Sequence, residues 1–199
     1  MSHKILVQTD PASMMDENDV LDAIKEFGSY LDISPDDFRA IYAQAYAKAR
    51  SRLLESIRAC DIMSHPVVAM EPTLSVRDAV FFLDDHAITG APVAEDKHIV
   101  GMLSETDIAR LSGDTKRPSP MSILRHILEG EFDPKTLERP VASIMTKDVV
   151  TVSRDTSLKT MIGLIQEKNI TRLPVTTSQG LLLGLVSRTD ILNTLSKLR

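Results

Sequence analysis

"GLVSRTDIL", residues 184–192, has a near copy earlier in the chain, "GMLSETDIA" at residues 101–109. Both strings write glycine, two apolar residues, serine, one variable residue, threonine and aspartate. An apolar run giving way to Ser-x-x-Asp reads as a strand entering a helix. Serine at the N-cap accepts from the N–H three residues on, and an acid there bonds back to the cap. A junction written twice points to an internal repeat.

Other stretches repeat in step with it. "DIMSHPVV" (61–68) aligns with "SIMTKDVV" (143–150), with 82 positions between Met63 and Met145. "AITGAPV" (87–93) aligns with "NITRLPV" (169–175) at the same offset, whereas the glycine strings lie 83 apart. One residue is therefore inserted between "AEDKHI" and its counterpart "TTSQGLL", where a hairpin turn tolerates a length change. In the second copy "VVTV" (149–152) reads as a strand, and Leu158, Met161, Ile162 and Ile165 form one helical face. "TRLPVT" and "LLLGLV" flank a Ser-Gln-Gly turn, and a closing helix starts at Ser187. The equivalent stripe in the first copy is Val76, Ala79, Val80 and Leu83. Both copies thus run strand, helix, strand, strand, helix. Each is small for an independent core, so the two are expected to share one.

The composition is that of an ordinary globular protein: 199 residues, 43% apolar and 26% charged, with net charge −5. An acidic chain lacks the basic footprint of nucleic-acid binding and has no attraction for an anionic membrane. The single Cys60 excludes an internal disulfide and fits a reducing compartment. "MSHKILVQTDPASMMDENDV" lacks the features of a signal peptide, and no apolar run is long enough to span a bilayer, so a cytoplasmic location is expected.

Residues 1–58 precede the repeats and read as helical. Ser34 is a good N-cap, Pro35 suits the first helical position, and Asp36 and Asp37 suit the positive end. Phe38, Ile41, Tyr42, Ala45, Ala49, Leu53 and Ile57 trace an apolar face for packing on the repeats or a second subunit. A shorter helix, with Val20, Leu21, Ile24 and Phe27 inward, is expected before it. The boundaries are 1–58 for this segment, 59–112 for repeat 1, 113–141 for a linker and 142–199 for repeat 2. Within the linker, Ser119 is expected to cap a helix reaching Leu128 and ended by Gly130.

The ordered series "DIMS…VV…SVRDAVFFLDDHAITGAPV…IVGMLSETDIARL" and its second copy resemble a tandem pair of CBS domains, named after cystathionine β-synthase. The resemblance implies an α+β fold: two β-α-β-β-α repeats packed by pseudo-two-fold symmetry, here preceded by an α-helical segment. It also implies two shared clefts. One combines Gly101, Ser104, Thr106 and Asp107 with "KDVV" (147–150) and "TRLP" (171–174), among them Lys147, Val149, Val150, Arg172 and Pro174. The other combines Gly184, Ser187, Arg188, Thr189 and Asp190 with "HPVV" (65–68) and "TGAP" (89–92), among them His65, Val67, Val68, Gly90 and Pro92.

Two readings of Ser-x-x-Asp stand side by side. Every feature serves helix initiation, worth about 1 kcal/mol. A carboxylate at a strand-to-helix junction also suits the cis-diol of a ribose, and Gly101 and Gly184 leave room for a flat ring. In the family this aspartate binds the ribose of AMP, ADP, ATP or related adenosyl ligands, so the resemblance implies that role for Asp107 and Asp190. Arg172 is the candidate for phosphate because its planar fork pairs with oxyanions, the alternative being a solvated surface arginine. Glu105 would oppose an anion where Arg188 would favour one.

No catalytic constellation emerges: there is no Walker-type loop, and His3, His65, His86, His98 and His126 lack ligand spacing. The expectation is a non-enzymatic regulator that needs no resident cofactor or metal. An adenine nucleotide or S-adenosylmethionine would be its regulatory ligand, and its output would go to an effector protein the sequence does not name or through an oligomer. The resemblance implies a homodimer. The competing readings are a structural dimerisation module with empty clefts, and a nucleic-acid-binding regulator using the N-terminal helices.

Overall fold

The computed structural model describes residues 34–112 and 132–198, with 18–19, 22–23, 123, 125–127 and 129–130 besides. The chain divides into two compact units, Met1–Ile57 and Arg58–Arg199.

The first unit contains α1, Pro35–Ser56. Ser34 caps it by accepting from the Asp37 N–H at 3.1 Å, with Pro35, Asp36 and Asp37 in the first turn as the sequence pattern predicts. Ile41, Tyr42 and Leu53 are exposed, and the rings of Tyr42 and Tyr46 stack at 6.3 Å. Residues 18–19 and 22–23 are helical. Val20, Leu21, Ile24 and Phe27 lie outside the described residues.

The second unit holds both repeats. The first comprises α2 (Ala59–Ile62), α3 (Val76–Asp85), β1 (Gly90–Glu95), β2 (His98–Ser104) and α4 (Glu105–Ala109). The segment between the repeats carries α5 (Pro134–Leu137). The second repeat comprises α6 (Leu158–Glu167), β3 (Arg172–Thr176), β4 (Leu182–Ser187) and α7 (Arg188–Ser196). Ser75 and Ser157 cap α3 and α6. The predicted stripes face inward: Val76, Ala79, Val80 and Leu83 are fully buried, as are Leu158 and Met161.

The antiparallel pairs β1–β2 and β3–β4 have matching registers, with Val93 opposite Gly101 and Val175 opposite Gly184. Each carries a bulge one step later, at Val93/Ala94 and Val175/Thr176. The length difference lies in the turns, as expected. Asp96 and Lys97 make a tight turn with positive φ at both, while the longer second turn uses Gly180 at φ +83°.

The expected opening strand is much shorter than its sequence. Of "VVTV" only Val152 pairs, parallel to Val175, and in the first copy only Met70 pairs, with Val93. The Val149 N–H instead bonds the Lys147 carbonyl at 2.9 Å, a turn that takes residues 149–150 off the sheet edge.

The repeats are interleaved. Ser64 exchanges backbone hydrogen bonds with Leu185 (2.9 and 3.2 Å), and Thr146 does the same with Met102 (2.9 Å each). The stretch leading each repeat also ties down the other's helix start. Ala59 N–H bonds the Thr156 carbonyl and Val76 N–H bonds the Arg139 carbonyl, both at 2.9 Å. Leu137 and Val141, from between the repeats, consequently sit in the first repeat's core with Ile123 and Phe132. Ser119 and Leu128 lie outside the described residues, and Gly130 adopts φ +76° after a helical stretch at 125–127. Among the described residues no helix is long and apolar enough to cross a membrane.

Candidate functional site

The closing helices α4 and α7 begin at Ser104 and Ser187, and the helix-initiation reading is realised at both. Asp107 Oδ2 accepts from the Ser104 N–H (3.0 Å) and hydroxyl (2.6 Å), and Asp190 Oδ2 accepts from Ser187 at 2.8 and 2.6 Å. One oxygen of each carboxylate is thereby committed to its cap. The other oxygen of Asp107 lies 3.1 Å from Arg110 Nη1.

Between the repeats lies a cleft of about 640 Å³, within the range of roughly 300–1,000 Å³ usual for small-molecule sites. Its wall pairs equivalent positions of the two copies: Thr89 with Thr171, Ser104 with Ser187, Glu105 with Arg188, and Thr106 with Thr189. The cavity therefore straddles the pseudo-two-fold axis. It extends to one side only, toward Asp107, Thr146, Asp148, Val149 and Val150. Met102, Ile170 and the two valines give it an apolar surface beside the hydroxyls and charges.

Arg172 and Gly90 occupy equivalent positions, and the difference between them shapes the cleft. The Arg172 guanidinium crosses into the first repeat, donating from Nη2 to Thr89 Oγ1 and from Nη1 to Thr171 Oγ1 at 3.2 Å. A Cβ on Gly90 would lie 3.1 Å from Arg172 Nη1 and 2.8 Å from the Leu103 carbonyl oxygen. The glycine makes room for the other copy's arginine, so one guanidinium fits where symmetry would demand two. Burial pulls the Arg172 pKa below the usual arginine range, and the nearby Glu105 carboxylate partly offsets this. Such a cation favours an anion that replaces lost solvation. It is half-buried, not the solvated surface arginine of the alternative reading.

The remaining expected positions fall as follows. Ser104, Thr106, Asp107, Val149, Val150 and Arg172 line this cleft, and Ser187, Arg188 and Thr189, assigned by sequence to a second cleft, line it too. Lys147 is exposed outside its wall, and Pro174 is buried in β3. Asp190 is half-buried and also outside it. Gly184, Gly90 and Pro92 are buried, Val67 is half-buried, and His65 and Val68 are exposed.

The expectation that a flat ring approaches the backbone at Gly101 and Gly184 is corrected by the packing. A Cβ on Gly101 would lie 2.3 Å from Met145 Sδ, and one on Gly184 would lie 2.6 Å from Met63 Sδ. The space at each glycine holds a methionine from the opposite repeat.

Sequence reasoning placed Asp148 and Thr171 in this cleft and Thr89 in the other, but did not assign Arg110, Thr146, Asn169 or Ile170 to either, and mentioned Glu105 only for its charge. Part of the signal was present. "AIT" and "NIT" match at offset 82, and Ala87 and Asn169 share a left-handed backbone, φ +50°, which steers both threonines to the cleft. Among the described residues no group of three or more His, Cys, Asp or Glu side chains is placed to hold a metal ion.

The model of the CBS domain matches residues 59–114 and 141–197. An uncharacterised protein of Methanocaldococcus jannaschii, MJ1426, is 31% identical over 150 residues, covering 68% of this chain and 89% of the relative. Two longer relatives from the same organism are spanned only to 41% and 23% of their lengths. Among solved structures, CBSX2 of Arabidopsis thaliana in complex with AMP is 25% identical at TM-score 0.58, covering 72% of this chain and 98% of that one. The CBS domain of a CBS domain-containing membrane protein from Sphaerobacter thermophilus is 26% identical at TM-score 0.60, covering 77% and 96%. The chain belongs to the CBS domain family and carries the domain as a tandem pair.

Proposed function

We propose that this protein is a non-catalytic regulator that binds an adenine nucleotide or related adenosyl ligand in the cleft between its repeats. The observation that carries the proposal is the meeting of Asp107 and Arg172 in one cavity with an apolar wall at Met102, Val149, Val150 and Ile170. The carboxylate suits a ribose diol, the half-buried guanidinium suits a phosphate, and the apolar side chains suit a base. The AMP bound by CBSX2, at 25% identity, supports the same ligand class. Occupancy changes the state of the molecule only where two arrangements bind with different affinity, so the output passes through a homodimer or to an effector protein. We place the protein in the cytoplasm, with neither nucleic acid nor membrane as partner.

The capping boxes at Asp107 and Asp190 favour a second reading, a structural module without a ligand. A thermal-shift series with AMP, ADP, ATP and S-adenosylmethionine on the wild type and on Asp107→Ala and Asp190→Ala separates them. A ligand at a hundred times its dissociation constant adds about 2.7 kcal/mol of stability. The shift is expected in the wild type and in Asp190→Ala, and is expected to be lost in Asp107→Ala. No shift with any of the four leaves the structural reading standing.

A further inference from the structure

α1 turns a half-buried face to one side and an exposed apolar face to another. Arg39, Ala43, Tyr46, Arg50, Leu54 and Ile57 follow one another at intervals of three and four and are half-buried. Ile41, Ala45, Ala49 and Leu53 recur every fourth residue with Tyr42 beside them, and all five are exposed. At about 100° per residue the two rows lie roughly 120° apart on the helix. Of the seven large apolar side chains exposed among the described residues, three stand in the second row: Ile41 at 59%, Leu53 at 43% and Tyr42 at 38%. Scattered exposed apolar residues are ordinary, but a continuous row over three turns marks an interaction surface.

The order of residues in the row specifies what covers it. Ile41, Ala45, Ala49 and Leu53 run large, small, small, large, and read the same in both directions about Ala47. When the row is laid antiparallel on a second copy of itself, Ile41 of one copy meets Leu53 of the other and Ala45 meets Ala49. The alanines let the axes approach to about 8 Å, and the large residues close both ends of the contact. The charges select the same direction. The first turn carries Asp36 and Asp37, whereas Lys48, Arg50 and Arg52 in the second half are opposed by Glu55 alone. Antiparallel packing sets the acidic end of each helix along the basic half of the other and opposes their dipoles; parallel packing sets like charges together. An unrelated partner requires no row symmetric about its own middle.

We infer that α1 is a self-association helix, through which two copies of this chain pair antiparallel along Ile41, Tyr42, Ala45, Ala49 and Leu53. The surface lies outside residues 59–114 and 141–197, which match the CBS domain, so it belongs to this chain's own extension and does not depend on what the cleft holds.

Cross-linking of the full chain tests the pairing and its direction, in a Cys60→Ser background that removes the native thiol. Ala45→Cys and Ala49→Cys variants are oxidised separately and mixed. A disulfide needs Cα atoms within about 7 Å, and antiparallel pairing offsets a position from its own copy by four residues, about 6 Å along the axis. The mixed product, an Ala45→Cys chain joined to an Ala49→Cys chain, is expected to exceed either self-joined product by about fivefold or more. Self-joined products in excess, or no cross-linked product, overturn the pairing. Sedimentation supplies a second reading: Leu53→Glu is expected to raise the dissociation constant of the self-associated chain by about tenfold or more while leaving the melting temperature of the dilute protein unchanged. An unchanged dissociation constant in a folded Leu53→Glu also overturns it.

Discussion

Arg110 Nη1 lies 3.1 Å from Asp107 Oδ1, so the carboxylate oxygen not used by the helix cap is already occupied. That oxygen keeps a second lone pair for one ribose hydroxyl, and a cis-diol that uses both displaces this guanidinium. The second repeat carries the uncharged Asn193 at the equivalent place. Because Arg110 is largely exposed, its pair is worth about 0–1 kcal/mol. Arg110→Ala is therefore expected to tighten adenosine binding by about threefold and to change the melting temperature little. Calorimetric titration with adenosine checks this, and weaker binding in the variant would assign Arg110 to holding the ligand.

Glu105 and Arg172 are coupled across the cleft. Replacing Glu105 with Gln removes the attraction that partly offsets the burial of Arg172, and also removes a carboxylate facing an incoming anion. The expected outcome is a less stable unliganded protein, by about 0.5–1 kcal/mol, with tighter AMP binding. Thermal melts with and without AMP read both quantities. A variant more stable than the wild type without ligand contradicts the account.

Gly90 is the space that Arg172 fills. Gly90→Ala pushes a methyl group against Arg172 Nη1 and the Leu103 carbonyl, so the guanidinium loses its place on Thr89. AMP affinity is expected to fall by about tenfold or more, on the order of 1.4 kcal/mol. Because the clash with backbone destabilises the fold as well, the comparison is made by titration below the melting transition.

The glycines of the two repeated strings carry methionines. Gly101→Ala is expected to cost about 1–3 kcal/mol, because Met145 Sδ would stand 2.3 Å from the new methyl group. Shortening the methionine removes that clash, so Gly101→Ala with Met145→Ala is expected to cost less than the sum of the single changes. Strict additivity in denaturant melts would show that the two residues are not in contact.

The repeat, its element order and the helix stripes were legible because a period of 3.6 and a fixed offset survive in the sequence, as at Val76, Ala79, Val80 and Leu83. Ser34 and Pro35 announced α1 through local capping chemistry. The short opening strands were not legible: "VVTV" has strand composition, yet residues 149–150 turn away to wall the cleft, a tertiary outcome that propensity does not encode. The filling of Gly101 by Met145 depends on how the repeats interleave, which no local pattern reports. The cleft across the axis follows from the same packing. It gathers Ser187 and Arg188 beside Asp107, residues that the family resemblance distributed between two sites.

The account centres on the Asp107 carboxylate accepting from ribose hydroxyls, and titration of the wild type and Asp107→Asn with AMP and 2′-deoxy-AMP tests it most directly. A charge-assisted hydrogen bond is worth about 1.5–3 kcal/mol, so the wild type should prefer AMP by about tenfold or more and Asp107→Asn should lose most of that preference. Equal affinity of the wild type for the two nucleotides, or a preference unchanged in Asp107→Asn, would contradict it.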